Sequence, residues 1–310
     1  MIDTLKDLNV DVATANATAL ELELLAREES SQDVLSYLEA LSRTNSENDA
    51  FRLAIIRTHL QNGELEQALE KADELAATQP DNPSYSYFNG ITKLSAGRYP
   101  SAQAIFEQLV DANPNFVQAW LQLSRVMSVT DPDGQLDVVN RGLEATQEAP
   151  DLLWAKASIL QNQDDIDGAI EIYEGLYEEN SNSMVIANNL ASLLATFRSD
   201  EEGLKRAQTI ARRLRGTEVA AFQDTYGWIQ FRNGNTEEAL EYLEPAAASL
   251  TNDASVQYHV GSALFAAGRT QEALDALTRA VEVLGPGTSA LEDEIRAKQA
   301  EVEAAQKQEP

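Results

Sequence analysis

Residues 226–240 read YGWIQFRNGNTEEAL and residues 259–274 read HVGSALFAAGRTQEAL. Gly227, Gly234 and Ala239 of the first stretch recur as Gly261, Gly268 and Ala273 of the second, 34 positions on, while most residues between them change. Spacing is kept where side chains are not. The chain is repeating a geometry rather than a chemistry.

The same spacing extends toward the N-terminus. A small residue in one apolar, helix-periodic segment is followed twelve positions later by alanine in the next, at Gly90 and Ala102 and at Ala157 and Ala169. Ile56 and Ala68 keep the interval with a larger first partner. Small residues at both places let two antiparallel helices approach within the usual ~8–10 Å. Seven positions after the small residue stand Gly97, Gly234 and Gly268, with Gly63 in the same place after Ile56. A left-handed residue there ends the first helix without a Cβ penalty. QPDNP (79–83) and ANPN (112–115) then stop second helices, because proline cannot continue them.

Composition agrees with a helical array. Ala, Leu, Glu and Gln dominate, aromatics make up only 6%, and 310 residues exceed a comfortable single core. Net charge is −28, from 51 acidic and 23 basic residues, which disfavours nucleic acid or an anionic membrane as partner. Without cysteine there are no disulfides, thiol nucleophiles or cysteine-based zinc sites. The opening MIDTLKDLNVDVATANATAL lacks a basic then apolar leader pattern, and no stretch reaches the ~18 apolar residues of a membrane span. Direct membrane insertion is not expected.

These residues resemble the tetratricopeptide repeat, a 34-residue helix-turn-helix unit. The resemblance implies an all-α, right-handed superhelical solenoid of about eight hairpins spanning residues 15–287. The units are 15–48, 49–82, 83–116, 117–149, 150–183, 184–219, 220–253 and 254–287. Residues 1–14 form an N-terminal segment, and 288–310 a capping helix with an apolar row of Leu291, Ile295 and Val302 and a disordered tail.

Units 15–48 and 117–149 are degenerate. In the latter the turn becomes VTDPDGQ and the expected alanine is missing. In 184–219, Ala191 and Ala207 stand sixteen apart, so FRSDEEG is expected to form an enlarged turn. Pro245 inside a second helix is expected to kink it.

Catalysis finds no constellation. His59 and His259 fall on or beside packing rows 200 positions apart, and no HExxH, GxSxG, Walker-type or GxGxxG pattern occurs. Asp164, Asp165, Glu237 and Glu238 are expected at helix starts, where carboxylates suit the dipole. DPDGQLD (131–137) lacks the closing bidentate Glu of a calcium loop. The expectation is a non-enzyme without cofactor or metal.

In the family the first helices line the concave side. Carrying its groove positions onto this chain implies a partner-binding surface of Arg57, Tyr87, Ile91, Arg125, Trp154, Asn188, Asp224, Trp228, Phe231, Tyr258 and Phe265. Each aromatic has an alternative role as packing against the neighbouring hairpin, Trp154 above all. The places of the family's carboxylate clamp hold Leu53, Arg57, Phe88, Gln118 and Gln122, so chaperone-tail binding is not implied.

The implied function is a protein-interaction scaffold for a peptide or protein segment. NNLASLL (188–194), DTYGW (224–228) and YHVG (258–261) further resemble C-terminal units of large bacterial repeat proteins of the cell envelope and exopolysaccharide export. That resemblance implies periplasmic exposure as part of a longer exported protein; a cytoplasmic adaptor is the alternative. A second alternative is a self-associating array, a homo-oligomer in which the basic cluster Lys205, Arg206, Arg212, Arg213 and Arg215 meets acidic surface on another copy.

Overall fold

The computed structural model describes residues 31–44, 49–198, 200–284 and 290–307. Among them it contains sixteen α-helices and no strand. We number the helices α1 (Ser31–Thr44), α2 (Asp49–Gln61), α3 (Leu65–Thr78), α4 (Pro83–Ser95), α5 (Tyr99–Ala112), α6 (Val117–Thr130), α7 (Gln135–Thr146) and α8 (Pro150–Asn162). They continue as α9 (Ile166–Glu179), α10 (Met184–Phe197), α11 (Glu201–Ala211), α12 (Ala220–Arg232), α13 (Thr236–Ser249), α14 (Ala254–Ala266), α15 (Thr270–Leu284) and α16 (Ala290–Gln306). Within each unit helices adjacent in sequence pack against one another, as α4 on α5 and α14 on α15. The chain divides into two compact units, 1–159 and 160–310, within α8.

The turns follow from backbone chemistry. Gly63, Gly97, Gly234 and Gly268 have φ of 74°, 69°, 84° and 77°. At each turn the next residue's N–H reaches back five positions, as in Glu64 to the His59 carbonyl at 2.9 Å and Arg269 to that of Leu264 at 2.9 Å. That is a Schellman closure of the first helix. The α8–α9 turn makes the same bond, Asp165 N–H to the Leu160 carbonyl at 2.9 Å, without a glycine. Asp164 takes the left-handed place there, with φ of 62°. Asp164 therefore belongs to the end of α8 rather than the start of α9. The cap of α9 is Asp165, whose carboxylate accepts from the Gly168 N–H at 3.0 Å.

The small first-helix residues make room for a specific side chain. A Cβ on Gly227 would lie 2.8 Å from Leu243 Cγ, one on Gly261 2.9 Å from Leu277 Cγ, and one on Gly90 2.7 Å from the Phe106 ring. Each of these partners stands sixteen positions on. Where the first residue is large, at Ile56, the residue sixteen on is Ala72, in the same buried cluster. The pair is complementary in volume.

This corrects the reading of residues 184–219. Helix α10 ends at Phe197 and α11 begins at Glu201, so the turn is as short as its neighbours. Glycine, at Gly203, stands twelve after Ala191, and a Cβ there would meet Arg198 Cβ at 2.4 Å. Ala191 and Ala207 are the volume pair, both with no exposed surface. The irregularity lies instead at the far end, where α11 stops at Ala211, a 3₁₀ turn covers Arg212–Leu214, and Gly216 has φ of 77°. In the 117–149 region a 3₁₀ turn over Pro132–Gly134 replaces the usual connection, and Asp131 accepts from the Gly134 N–H at 3.3 Å.

In the first unit the core runs through Leu35, Leu38, Phe51 and Ile55, then Leu53, Ile56 and Tyr85, then Phe106, Trp120, Leu123 and Val139. In the second, Leu243, Leu277, Ile295 and Val302 share one cluster. Burying each such side chain contributes ~1.5–3 kcal/mol. Ile295 and Val302 bring α16 onto α15, with no exposed surface at either residue. Gln306 is the last residue of α16, and Lys307 N–H still reaches the Glu303 carbonyl at 3.3 Å. The expected disordered tail otherwise falls on 308–310, and the N-terminal segment and first helix of 15–48 fall before Ser31, outside the described residues. Helix α13 runs as one element through Pro245.

Candidate functional site

In the second unit the first helices α10, α12 and α14, with α16, enclose a cavity of about 650 Å³. Its walls include Asn188, Asp224, Trp228, Phe231 and Tyr258, five of the eleven residues singled out from the sequence. Three successive hairpins bring them together because equivalent positions of stacked first helices fall side by side. That volume is in the ~300–1,000 Å³ range of ligand pockets.

Trp228 anchors the wall. Its ring stacks on Phe231 at 5.3 Å and on His259 at 4.0 Å, the latter with an interplanar angle of 17°. The Arg232 guanidinium sits 5.7 Å from the Trp228 ring while donating to the Ala195 carbonyl at 2.9 Å. This packing leaves Trp228 only 8% exposed, more buried than an open groove position requires. Its indole Nε1–H is buried with no hydrogen-bond partner, and Asn188 Oδ1 is likewise buried and unpartnered. Phe197, at the cavity's edge, is 49% exposed.

Polar groups complete the site. His259 Nδ1 lies 2.9 Å and 3.1 Å from the two Asp224 carboxylate oxygens. Burial pushes the Tyr258 hydroxyl above the ordinary phenol range, and the charge of Glu294 adds to it. Glu294 and Lys298 reach the cavity from α16, and Lys298 Nζ also stands 6.0 Å from the Phe265 ring. Phe265 is half-buried against the second unit's core.

The remaining candidates lie in the first unit. Tyr87 is half-buried against Phe88, Phe106 and Phe116, with ring centroids 6.0, 6.1 and 5.2 Å away. Burial raises its hydroxyl pKa, partly offset by a hydrogen bond from Gln122. Ile91 packs on the same core, Arg57 is half-buried, and Arg125 is exposed. Trp154 is 40% exposed, so it is not the core residue that the alternative reading allowed.

His259, Phe197, Glu294 and Lys298 were not among the sequence candidates. His259 follows Tyr258 directly, and its pairing with Asp224 of the preceding hairpin was the available signal. The α16 residues had none, since that helix lies outside the repeat. His59 is likewise held by a carboxylate, Glu64 Oε2 at 2.6 Å. Among the described residues no cluster of His, Asp and Glu could hold a metal ion, and no helix is long and apolar enough to cross a membrane.

The basic cluster is largely engaged within the chain. Arg206 pairs with Glu174 at 2.6 Å, Lys205 with Glu201 at 2.5 Å and Arg215 with Glu238 at 3.6 Å. Arg213 lies 5.0 Å over the Tyr177 ring.

Comparison with known proteins agrees with this architecture. The family described as protein kinase G tetratricopeptide repeat matches residues 6–136, and the tetratricopeptide repeat family matches residues 227–288. Among solved structures, the APC/C hetero-tetramer Cut9–Hcn1 aligns with 97% of the chain at a TM-score of 0.60 and 15% identity. The chain spans 58% of that protein's length. A tetratricopeptide repeat protein from Parabacteroides merdae aligns with 79% of the chain and 96% of its own, with TM-score 0.53 and 14% identity. No curated protein sequence matches. With two repeat-family matches and hairpins paired in this way, the chain is a tetratricopeptide repeat protein.

Proposed function

We propose that this protein is a non-catalytic interaction scaffold that holds a peptide or protein segment against the first helices of its hairpins, with the α10–α12–α14 cavity as the principal seat. Tetratricopeptide repeats are protein-interaction scaffolds. One observation carries the finer reading: five groove residues chosen from repeat position alone surround a single aromatic-walled cavity. Aromatic side chains supply large contact area at small entropic cost, which is why they dominate binding hot spots. In the first unit, Arg57, Tyr87, Ile91, Arg125 and Trp154 hold the corresponding first-helix positions and are proposed as accessory contacts of that unit.

Affinity capture from source cells tests this reading, using the full chain beside a Phe197→Ser, Tyr258→Ser variant whose helicity is checked by circular dichroism. A partner that is captured by the first and lost by the folded variant supports the cavity. A partner retained equally by both removes it. We also place the scaffold in the bacterial envelope, on the resemblance of residues 188–194, 224–228 and 258–261 to export-associated repeats. Recovery of the endogenous protein solely from the cytoplasmic fraction would reject that placement.

A further inference from the structure

A half-buried guanidinium without a counter-ion is costly, because its partial desolvation is not repaid by a paired charge. Arg232 is such a group on the wall of the second unit's cavity. It makes no ion pair among the described residues, although the chain carries 51 acidic side chains. Its Nη1 donates to the Ala195 carbonyl at 2.9 Å, and the Trp228 ring lies 5.7 Å from the guanidinium carbon. These contacts fix the orientation of the group and leave Nε and Nη2 without a hydrogen bond. Neither is closed off from solvent, in contrast to the Trp228 indole nitrogen. Elsewhere in the chain that edge of arginine grips carboxylates: Arg206 holds Glu174 through Nε and Nη2 at 3.2 and 2.6 Å, and Arg269 holds Glu272 at 2.7 and 2.6 Å. Two parallel N–H groups match the two oxygens of a carboxylate.

The other charges at the cavity are met, with one exception. Lys298 pairs with Glu301 at 2.7 Å, Asp224 is bonded to His259, and Asp253 caps α14 by accepting from the Ser255 and Val256 N–H groups at 3.0 and 3.2 Å. Glu294 on α16 is exposed and makes no ion pair among the described residues. Arg232 and Glu294 do not pair with each other. Both nevertheless act, with Lys298, on the Tyr258 hydroxyl, which burial raises most. An unpaired cation and an unpaired anion thus border one aromatic-walled cavity. A purely acidic occupant would be opposed by Glu294 and a purely basic one by Arg232, whereas an occupant with both signs complements each.

Resting on the reading that this cavity seats a partner segment, we infer that the segment carries an acidic side chain whose carboxylate takes the Nε and Nη2 edge of Arg232, and in the same stretch a basic side chain directed to Glu294. Apolar side chains between them lie on Phe197, Phe231 and Tyr258. Arg232 dominates the choice of partner because its pairing is half-buried. Glu294, being exposed, contributes less.

The test uses the full chain and short synthetic peptides, acetylated and amidated at their ends, that share apolar residues and differ in charge: neutral, acidic, basic and mixed. Mixed peptides are expected to bind best. In the tightest binder, replacing the acidic residue by its amide should weaken affinity for the native chain about tenfold, the loss of a hydrogen-bonded charge pair, and hardly affect Arg232→Gln, which itself binds about tenfold more weakly. Replacing the basic residue by norleucine should cost about threefold on the native chain and little on Glu294→Gln. Added salt should erode the second loss more than the first. Circular dichroism checks the fold of both variants, and the peptide replacements on the native chain need no altered protein.

An acidic residue whose amide binds the native chain equally well, or whose loss costs the same on Arg232→Gln, overturns the inference. If binding is still lost in the Phe197→Ser, Tyr258→Ser variant, the peptide-seat reading stands without it. Tightest binding by purely acidic or purely basic peptides also overturns it. So does a gain on freeing the C-terminal carboxylate that Arg232→Gln abolishes, which would assign the arginine to a chain end. No binder in any charge class refutes the inference, and if capture from source cells is then equal for the native chain and the Phe197→Ser, Tyr258→Ser variant, the peptide-seat reading falls as well.

Discussion

The volume pairing between hairpin helices can be tested at Gly227 and Leu243. Adding a Cβ to Gly227 places it 2.8 Å from Leu243 Cγ and 3.0 Å from the Ala239 carbonyl oxygen. Cγ is the branch point of the leucine rather than a flexible end, so α12 and α13 must separate slightly. Overpacking of this kind costs ~1–3 kcal/mol, against ~1 kcal/mol gained from replacing glycine within a helix. Gly227→Ala should therefore destabilise by about 1 kcal/mol. Leu243→Ala empties a site with no exposed surface and should cost ~2–5 kcal/mol. In the double variant the clash with Leu243 disappears, and alanine stands at both places, the combination found at 191 and 207. Its cost should fall below the sum of the two by ~1 kcal/mol or more. Hydrogen exchange of the 220–284 amides is the suitable assay, because neighbouring repeats open locally before the whole chain unfolds. Costs additive to within ~0.5 kcal/mol would refute steric complementarity as the reason for glycine here.

Three other outcomes are expected. Asp164→Gly should stabilise the α8–α9 turn by about 0.5 kcal/mol, the left-handed strain relieved less the added unfolded-state entropy, while Gly268→Ala should cost ~1 kcal/mol. Equal melting temperatures across both variants and the native chain would contradict this. Tyr226 donates to Glu238 Oε1 at 2.9 Å, and burial, aided by that bond, lifts its pKa from 10.0 to about 12. The folded chain holds this proton more tightly, so the associated stability is intact below pH 10 and declines as pH rises toward 12. Tyr226→Phe should remove that part of the alkaline loss, and an ultraviolet titration showing every tyrosine ionising together near pH 10 would contradict it. Finally, the melting temperature should be higher in several hundred millimolar salt than in ten millimolar. Exposed pairs such as Lys205–Glu201 contribute little, whereas −28 repels itself throughout. A fall with salt would mean that ion pairs outweigh repulsion.

The repeat was legible because it is written in backbone requirements. Glycine at 63, 97, 234 and 268 answers a positive φ, and a small residue at 90, 227 and 261 answers a close helix approach. Both constraints act on one residue type at one interval, so they survive when neighbouring side chains vary. Candidate groove residues followed from the same register, since equivalent positions of stacked helices must align. At 184–219 the register was misread because alanine was sought twelve after Ala191, where Gly203 stands instead, pressed close against Arg198.

Other features required the tertiary structure. Whether Asp164 starts a helix or ends one depends on a left-handed backbone angle that aspartate tolerates but does not announce. The burial of Trp228 depends on His259, 31 positions on, stacking against its ring, and the cavity's outer wall depends on α16, which obeys no repeat. The unpartnered indole N–H appears only once all neighbours are in place, because hydrogen-bond satisfaction belongs to the assembled site and not to any single residue. Local spacing thus determined the hairpins and which helix faces are available. Packing between hairpins decided which of those faces closes into a cavity.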